Sequence, residues 1–226
     1  MSVSSSQNPR AVIFDVGGTL YVCPALDALV EEQANVVLAT ARDCTVEEAK
    51  ELLRAQRAEN KEKHGDPSKV RALESLGVPG GAFQDAAAAL DPAPLLNGAP
   101  PVGPLLTALR EMGVEVGVLS NFKESLVRKV FACLGADWSQ VDASVCVEDG
   151  LPIKPDPAPF GAICGRLRVE PREAVFVGDS VAKDLTPAKR LGMTTVLVES
   201  GELDGDSSVV DHRVASADGV LDLLSL

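Results

Sequence analysis

Five short apolar runs, at residues 11–15, 114–120, 143–147, 174–179 and 194–198, punctuate a chain of 226 residues. Continuous apolar runs of this length, bounded by turn residues, read as strands buried on both faces. Between the last four lie helical patterns of about ten residues, the alternation that builds a parallel sheet with helices on both faces. Right-handed crossovers then predict a doubly wound, three-layer α/β core. The interval after the first run is different, because residues 16–113 contain no strand-like segment.

That interval reads as helix. Leu26, Leu29, Val30, Val37 and Leu38 recur at roughly helical spacing within residues 25–42. Thr45-Val46-Glu47-Glu48 is a capping box that opens a helix to residue 63, and His64-Gly65-Asp66-Pro67 breaks it. Shorter helices are expected at 68–76 and 81–90. The Pro-rich stretch 91–101 reads as a stiff return linker, and a helix at 102–112 resumes the core. The expected organisation is an α/β core of residues 1–22 and 99–226 with an all-helical insert of residues 23–98.

Composition narrows the function classes. The net charge of −12 comes from 33 acidic and 21 basic residues. It disfavours a nucleic-acid polymer or an anionic membrane as partner, since both reward Lys/Arg patches. A small anion remains open, because one local site can invert the global sign. The five cysteines are scattered without CxxC spacing, so reduced thiols and a cytoplasmic location are expected. The first ten residues lack the apolar stretch of a signal peptide and read as a flexible tail, and no apolar run is long enough to span a bilayer.

The chemistry gathers at the strand ends. The first run ends in Asp15-Val16-Gly17-Gly18-Thr19, an acid followed by two glycines and a hydroxyl. The second ends in Ser120-Asn121 and the fourth in Gly178-Asp179-Ser180, with Asp184 soon after. Lys154-Pro155-Asp156-Pro157 follows the third at the start of a helix. In a parallel sheet all these ends open on one side, where open α/β sheets bind ligands. Asp15, Ser120, Lys154, Asp179 and Asp184 should therefore converge. Carboxylates with one lysine suit a hard divalent cation, and oxygen ligands favour Mg²⁺.

These four motifs, in order and in register with the strands, resemble those of the haloacid dehalogenase superfamily of phosphatases and related hydrolases, in the type with a helical (C1) cap. The resemblance covers residues 11 to about 200. It implies that Asp15 is a nucleophile that becomes a phosphoaspartate, and that Thr19 supports its loop. It implies phosphate binding by Gly18, Thr19, Ser120, Asn121 and Lys154, with Lys154 neutralising nucleophile and phosphate together. It implies Mg²⁺ held by Asp15, the Gly17 carbonyl and Asp179, with Asp184 orienting Lys154 or metal-bound water. The implied partner is a small phosphorylated substrate, handled by a monomer or homodimer. The segments His64-Gly65 and 90–96 are similar to those of pyrimidine 5′-nucleotidase-like members, which would make that substrate a nucleotide.

One residue departs from the pattern. Phosphatases of this family usually carry a second aspartate two residues after the nucleophile, to protonate the leaving alcohol and then activate water. Here that place is Gly17. General acid–base catalysis typically contributes about 10²–10⁴-fold, so slow turnover is expected unless another group substitutes. Alternatives are a phosphate-binding relative without turnover, a 2-haloacid dehalogenase and a phosphonoacetaldehyde hydrolase using a cap lysine among Lys50, Lys61 and Lys63. Dehalogenases resemble Ser-Ser-Asn where this chain has Gly178-Asp179-Ser180, and a tyrosine where it has Phe160, so the metal-dependent reading is preferred.

Other residues read more simply. Asn121 acts through its backbone or caps the helix from residue 123, and Ser180 caps a helix. Cys23 near the hinge reads as a small buried thiol. Tyr21 contacts substrate or packs on the cap. His64 is a solvated helix-end histidine, though placed to replace the missing acid. His212 lies in a polar tail, and Phe131 and Trp138 pack.

Overall fold

A computed structural model describes residues 9–64, 68–199 and 204–225, without the His64 side chain. The expected tail and the break at Gly65-Asp66-Pro67 lie largely or wholly outside the described residues, as does any role for the His64 side chain. The chain divides into two compact units, Cys23–Leu95 and the residues on either side of it.

The flanking unit is built on six parallel strands, β1 (Ala11–Phe14), β2 (Glu115–Leu119), β3 (Ala143–Val145), β4 (Ala174–Gly178), β5 (Thr194–Val198) and β6 (His212–Val214), in the order β3-β2-β1-β4-β5-β6. All four residues of β1 are fully buried. Alternation splits them between the two faces. Ala11 and Ile13 join Phe160, Ile163, Phe176 and Leu197 in one cluster, leaving Val12 and Phe14 to the opposite face. Burial on both faces explains why β1 and β4 read as unbroken apolar runs. The sixth strand was not expected. His212-Arg213-Val214 has only Val214 buried, so a three-residue edge strand leaves almost no apolar signal, and His212 belongs to it rather than to a tail.

Among its described residues, the other unit is helical apart from its connections. Its helices are α1 (Pro24–Arg42), α2 (Val46–His64), α3 (Lys69–Ser75) and α4 (Gly80–Ala89). Pro24 starts α1, where its missing N–H costs nothing. Leu26, Val30, Ala34 and Leu38 give α1 a buried stripe at i, i+4 spacing. The capping box at α2 is formed: Thr45 N donates to Glu48 Oε2 at 2.9 Å and Glu48 N to Thr45 Oγ1 at 3.3 Å. Glu31 of α1 accepts from Arg57 of α2 at 2.8 Å and from Lys69 beside it at 2.7 Å, tying three helices together. Cys23 is half-exposed at the cap of α1, with its Sγ 3.6 Å from the Leu95 carbonyl, so it is not a buried thiol.

The return linker is not wholly irregular. A helical turn, α5 (Ala93–Leu96), forms within it, started by the Asp91 carboxylate accepting from Ala93 N at 3.0 Å. The remaining helices are α6 (Gly103–Glu111), α7 (Glu124–Cys133), α8 (Ala158–Leu167), α9 (Thr186–Arg190) and α10 (Val220–Leu224). Phe131 and Trp138 pack edge to face with centroids 5.1 Å apart. Phe160 is fully buried against Phe176, a core residue rather than a site residue. All five cysteines are free thiols, and among the described residues no helix is long and apolar enough to cross a membrane.

Candidate active site

The sheet register brings the strand ends level. Phe14 pairs with Val118 and with Val177, so Asp15 follows directly between the ends of β2 and β4. Its own N–H donates to the Val177 carbonyl at 2.9 Å, fixing the first residue beyond the strand. Thr19 Oγ1 donates to Asp15 Oδ2 at 3.1 Å. Lys154 Nζ donates to Asp15 Oδ1 at 2.5 Å and to Asp184 Oδ1 at 2.8 Å, although the lysine is only 5% exposed. Carboxylate oxygens of Asp15, Asp179 and Asp184 all lie within 4.8 Å of one another. Three carboxylates thus face one ammonium.

Two glycines make this crowding possible. Gly18 has φ +82°, and a Cβ there would land on the Asp179 carboxylate. At Gly178 a Cβ would stand 2.7 Å from the Asp184 Cβ. A π-helical turn at Val181–Leu185, not foreseen from sequence, carries Asp184 back against the end of β4. Ser180 starts that turn as expected, accepting from Lys183 N at 3.1 Å.

Three features of the site were not foreseen. Asn121 grips Lys154. Its Oδ1 accepts from Lys154 N at 2.8 Å and its Nδ2 donates to the Lys154 carbonyl at 3.0 Å, so its side chain clamps the lysine's backbone. The Gly18 N–H, expected to face a phosphate, instead donates to the Tyr21 carbonyl at 2.8 Å, which makes the contribution of Gly18 steric. Asp204 had no sequence signal at all. It accepts from Val181 N at 2.6 Å, Ala182 N at 3.2 Å and Ser180 Oγ at 2.5 Å, and so anchors the turn that holds Asp184. Ser120, almost fully buried at the end of β2, accepts from Phe122 N at 3.2 Å.

The electrostatics follow from the geometry. Burial would lower the affinity of Lys154 for its proton, but Asp15 and Asp184 beside it raise it above the ordinary lysine range. Burial pushes Asp184 up, with Lys154 opposing. Asp179 is pushed up to about 7, chiefly by burial, with Asp15 and Asp184 adding and Lys154 opposing. A carboxyl whose folded value is raised binds its proton more tightly folded than unfolded, so it weakens the fold as pH rises from the ordinary carboxylate range through that folded value. In chelator, the protein should therefore melt at a higher temperature near about pH 6 than near about pH 8. Asp179→Asn should remove a large part of this difference, and an undiminished difference in the variant would acquit Asp179 as its source.

The donor set suits a hard cation, since all the candidate ligands are oxygens and the surplus negative charge is uncompensated. Asp15, Asp179 and Asp184 each offer a carboxylate oxygen to this group, and both Asp15 and Asp184 also engage Lys154.

A haloacid dehalogenase-like hydrolase family model matches residues 9–192. A phosphoglycolate phosphatase of Rhodospirillum rubrum is 33% identical over 210 residues, 85% of this chain and 80% of its own length. A glyceraldehyde 3-phosphate phosphatase of Methanopyrus kandleri is 33% identical over 135 residues, 55% of either chain. For several other curated relatives the aligned stretch is about half of their length or less. A crystal structure of a HAD phosphatase from Thermococcus onnurineus superposes with a TM-score of 0.66 at 23% identity, covering 95% of this chain and 97% of that one, a likeness of fold. With the motifs, the parallel sheet and a family match across most of its length, the chain belongs to the haloacid dehalogenase-like hydrolases.

Proposed function

We propose that the protein is a Mg²⁺-dependent phosphomonoesterase that acts on a small phosphorylated metabolite through a phosphoaspartate at Asp15. The observation that carries this reading is the cluster at the strand ends, in which Asp15 is both the nucleophile nearest Lys154 and a member of the three-carboxylate group. Asp15 Oδ1 or Oδ2 attacks phosphorus, and the P–O bond to the alcohol breaks. Lys154 stays charged at every working pH and balances the nucleophile and the incoming phosphate, while Asp184 and Asn121 hold it in place. Thr19 keeps the Asp15 carboxylate oriented, and Ser120 stands at the neighbouring strand end to donate to a phosphate oxygen. Asp15, Asp179 and the Gly17 carbonyl are the assigned Mg²⁺ ligands; when bound, the ion supplies charge neutralisation that lets a carboxylate approach a dianionic ester.

The names of the relatives support a compact substrate, since phosphoglycolate and glyceraldehyde 3-phosphate are phosphates of short carbon chains. We assign the helical unit Cys23–Leu95 the role of cap and selector of the alcohol. A nucleotide rests only on the segments His64-Gly65 and 90–96 and is the weaker choice.

The test is a panel of phosphoglycolate, glyceraldehyde 3-phosphate, sugar phosphates and nucleoside 5′-monophosphates, assayed with Mg²⁺ and with chelator. Phosphate release that chelator abolishes is expected for at least one small ester. Ligand binding without release across the panel would turn the reading into a binding protein, and metal-independent halide release from a 2-haloacid would make it a dehalogenase.

A further inference from the structure

Gly17 lacks a proton-handling side chain, yet the space beside it is filled. Gly17 is not among the residues with positive φ, so the backbone does not require glycine there. A Cβ built on it would first meet the hydroxyl oxygen of Tyr21, at 3.4 Å, and then the ring carbon bearing it, at 3.9 Å. A side chain longer than alanine would compete with this phenol for the same volume. The phenol is held there by its backbone. Tyr21 pairs with Gly17 in an isolated bridge, its carbonyl accepts from Gly18 N at 2.8 Å, and Leu20 N donates to the Val16 carbonyl at 2.9 Å to close the loop between them. Tyr21 is half-buried beside the nucleophile loop, four residues beyond the position where a proton donor is missing.

We propose that the Tyr21 hydroxyl is the leaving-group acid of this site, a phenol standing where a carboxyl at position 17 would have stood. The inference rests on the phosphomonoesterase reading above. An ordinary phenol, with a pKa of about 10, is protonated at neutral pH and more acidic than an alkanol, so transfer to a departing alkoxide is downhill. As Asp15 forms its bond to phosphorus, the ester P–O bond breaks and its electron pair goes to the leaving oxygen. That oxygen takes the Tyr21 proton and departs as a neutral alcohol. The phenolate then takes a proton from water, whose oxygen attacks the phosphorus. The P–O bond to Asp15 breaks, the carboxylate and the phenol are restored, and inorganic phosphate leaves. No external acid, base or electron is needed. A group of this kind contributes about 10²–10⁴-fold to reactions that need its proton, and almost nothing to the release of a leaving group that is stable as an anion.

The test compares phosphoglycolate, an alkyl ester, with p-nitrophenyl phosphate, whose leaving group departs as an anion. Tyr21→Phe should lower alkyl turnover by about 10²–10⁴-fold and leave formation of the phosphoenzyme from the aryl ester nearly unchanged, read as the burst of nitrophenolate in a rapid-mixing experiment. The aryl burst also reports in the same sample that the variant is folded. Adding Gly17→Asp to Tyr21→Phe, where loss of the hydroxyl leaves room for a carboxylate, should restore alkyl turnover. Equal losses on both esters, no loss on either, or wild-type turnover of the aryl ester with none of any alkyl ester would overturn the role of Tyr21 and leave the nucleophile at Asp15 standing. Absence of Mg²⁺-dependent release from both esters in the wild type would instead overturn the phosphomonoesterase reading, and the proposal with it.

Discussion

Asp15→Asn should abolish phosphate release while leaving the protein folded. Loss of a covalent nucleophile costs on the order of 10⁶-fold in kcat where it has been measured in other enzymes, which for this site means background hydrolysis. The substitution keeps the shape of the side chain. The amide oxygen still accepts from Lys154, and the Thr19 hydroxyl still has a partner in the other amide atom. The amide removes one of three mutually repelling carboxyls, so the melting temperature should stay near that of the wild type or rise. Turnover comparable with the wild type, measured as Mg²⁺-dependent phosphate release, would exclude a phosphoaspartate at this residue.

Lys154→Met should damage the fold as well as the reaction. Lys154 is almost completely buried and is the ammonium shared by Asp15 and Asp184. Breaking a buried ion pair by removing one partner typically costs about 3–5 kcal/mol, because the surviving charge is left desolvated and uncompensated. At about 2–4 °C per kcal/mol for a chain of this size, the melting temperature in chelator should fall by roughly 10 °C. The loss has a specific signature. Adding Asp184→Asn should recover much of it, since the second substitution removes one of the stranded carboxylates, and acidification should recover part of it by protonating the rest. A single variant that melts with the wild type in chelator would show that the ion pair contributes nothing net.

Much of this arrangement was legible because it follows from strand ends. β1, β2 and β4 are apolar runs closed by a polar residue, and a parallel sheet sends every such closure to the same side, so Asp15, Ser120 and Asp179 follow from the strands, whereas Lys154 and Asp184 reach that side through the connections after β3 and β4. The edges of the fold were harder. β6 is three residues with two exposed side chains, and α5 is a single turn inside a Pro-rich stretch, so neither has a hydrophobic period to read. Asn121, Asp204 and Tyr21 were obscure for another reason. The Asn121 clamp on Lys154 spans 33 residues and the Asp204 bonds to the turn span 22 to 24, distances at which no local pattern exists. Tyr21 is near Gly17 in sequence, but its hydroxyl reaches the empty position only because the loop folds back on itself.

The burial of β1 has a consequence for how the site can fail. Each of its residues is fully buried and paired in register on both sides, with β2 and with β4, and the Asp15 amide extends the bonding to β4 by one more bond. Edge strands such as β3 and β6 open locally at low free energy, whereas a central strand yields only with the whole sheet. Asp15, the proposed nucleophile, therefore rides on the last segment to let go. Loosening at the periphery will precede any disturbance of the Asp15 carboxylate, and loss of that carboxylate's alignment will coincide with global unfolding.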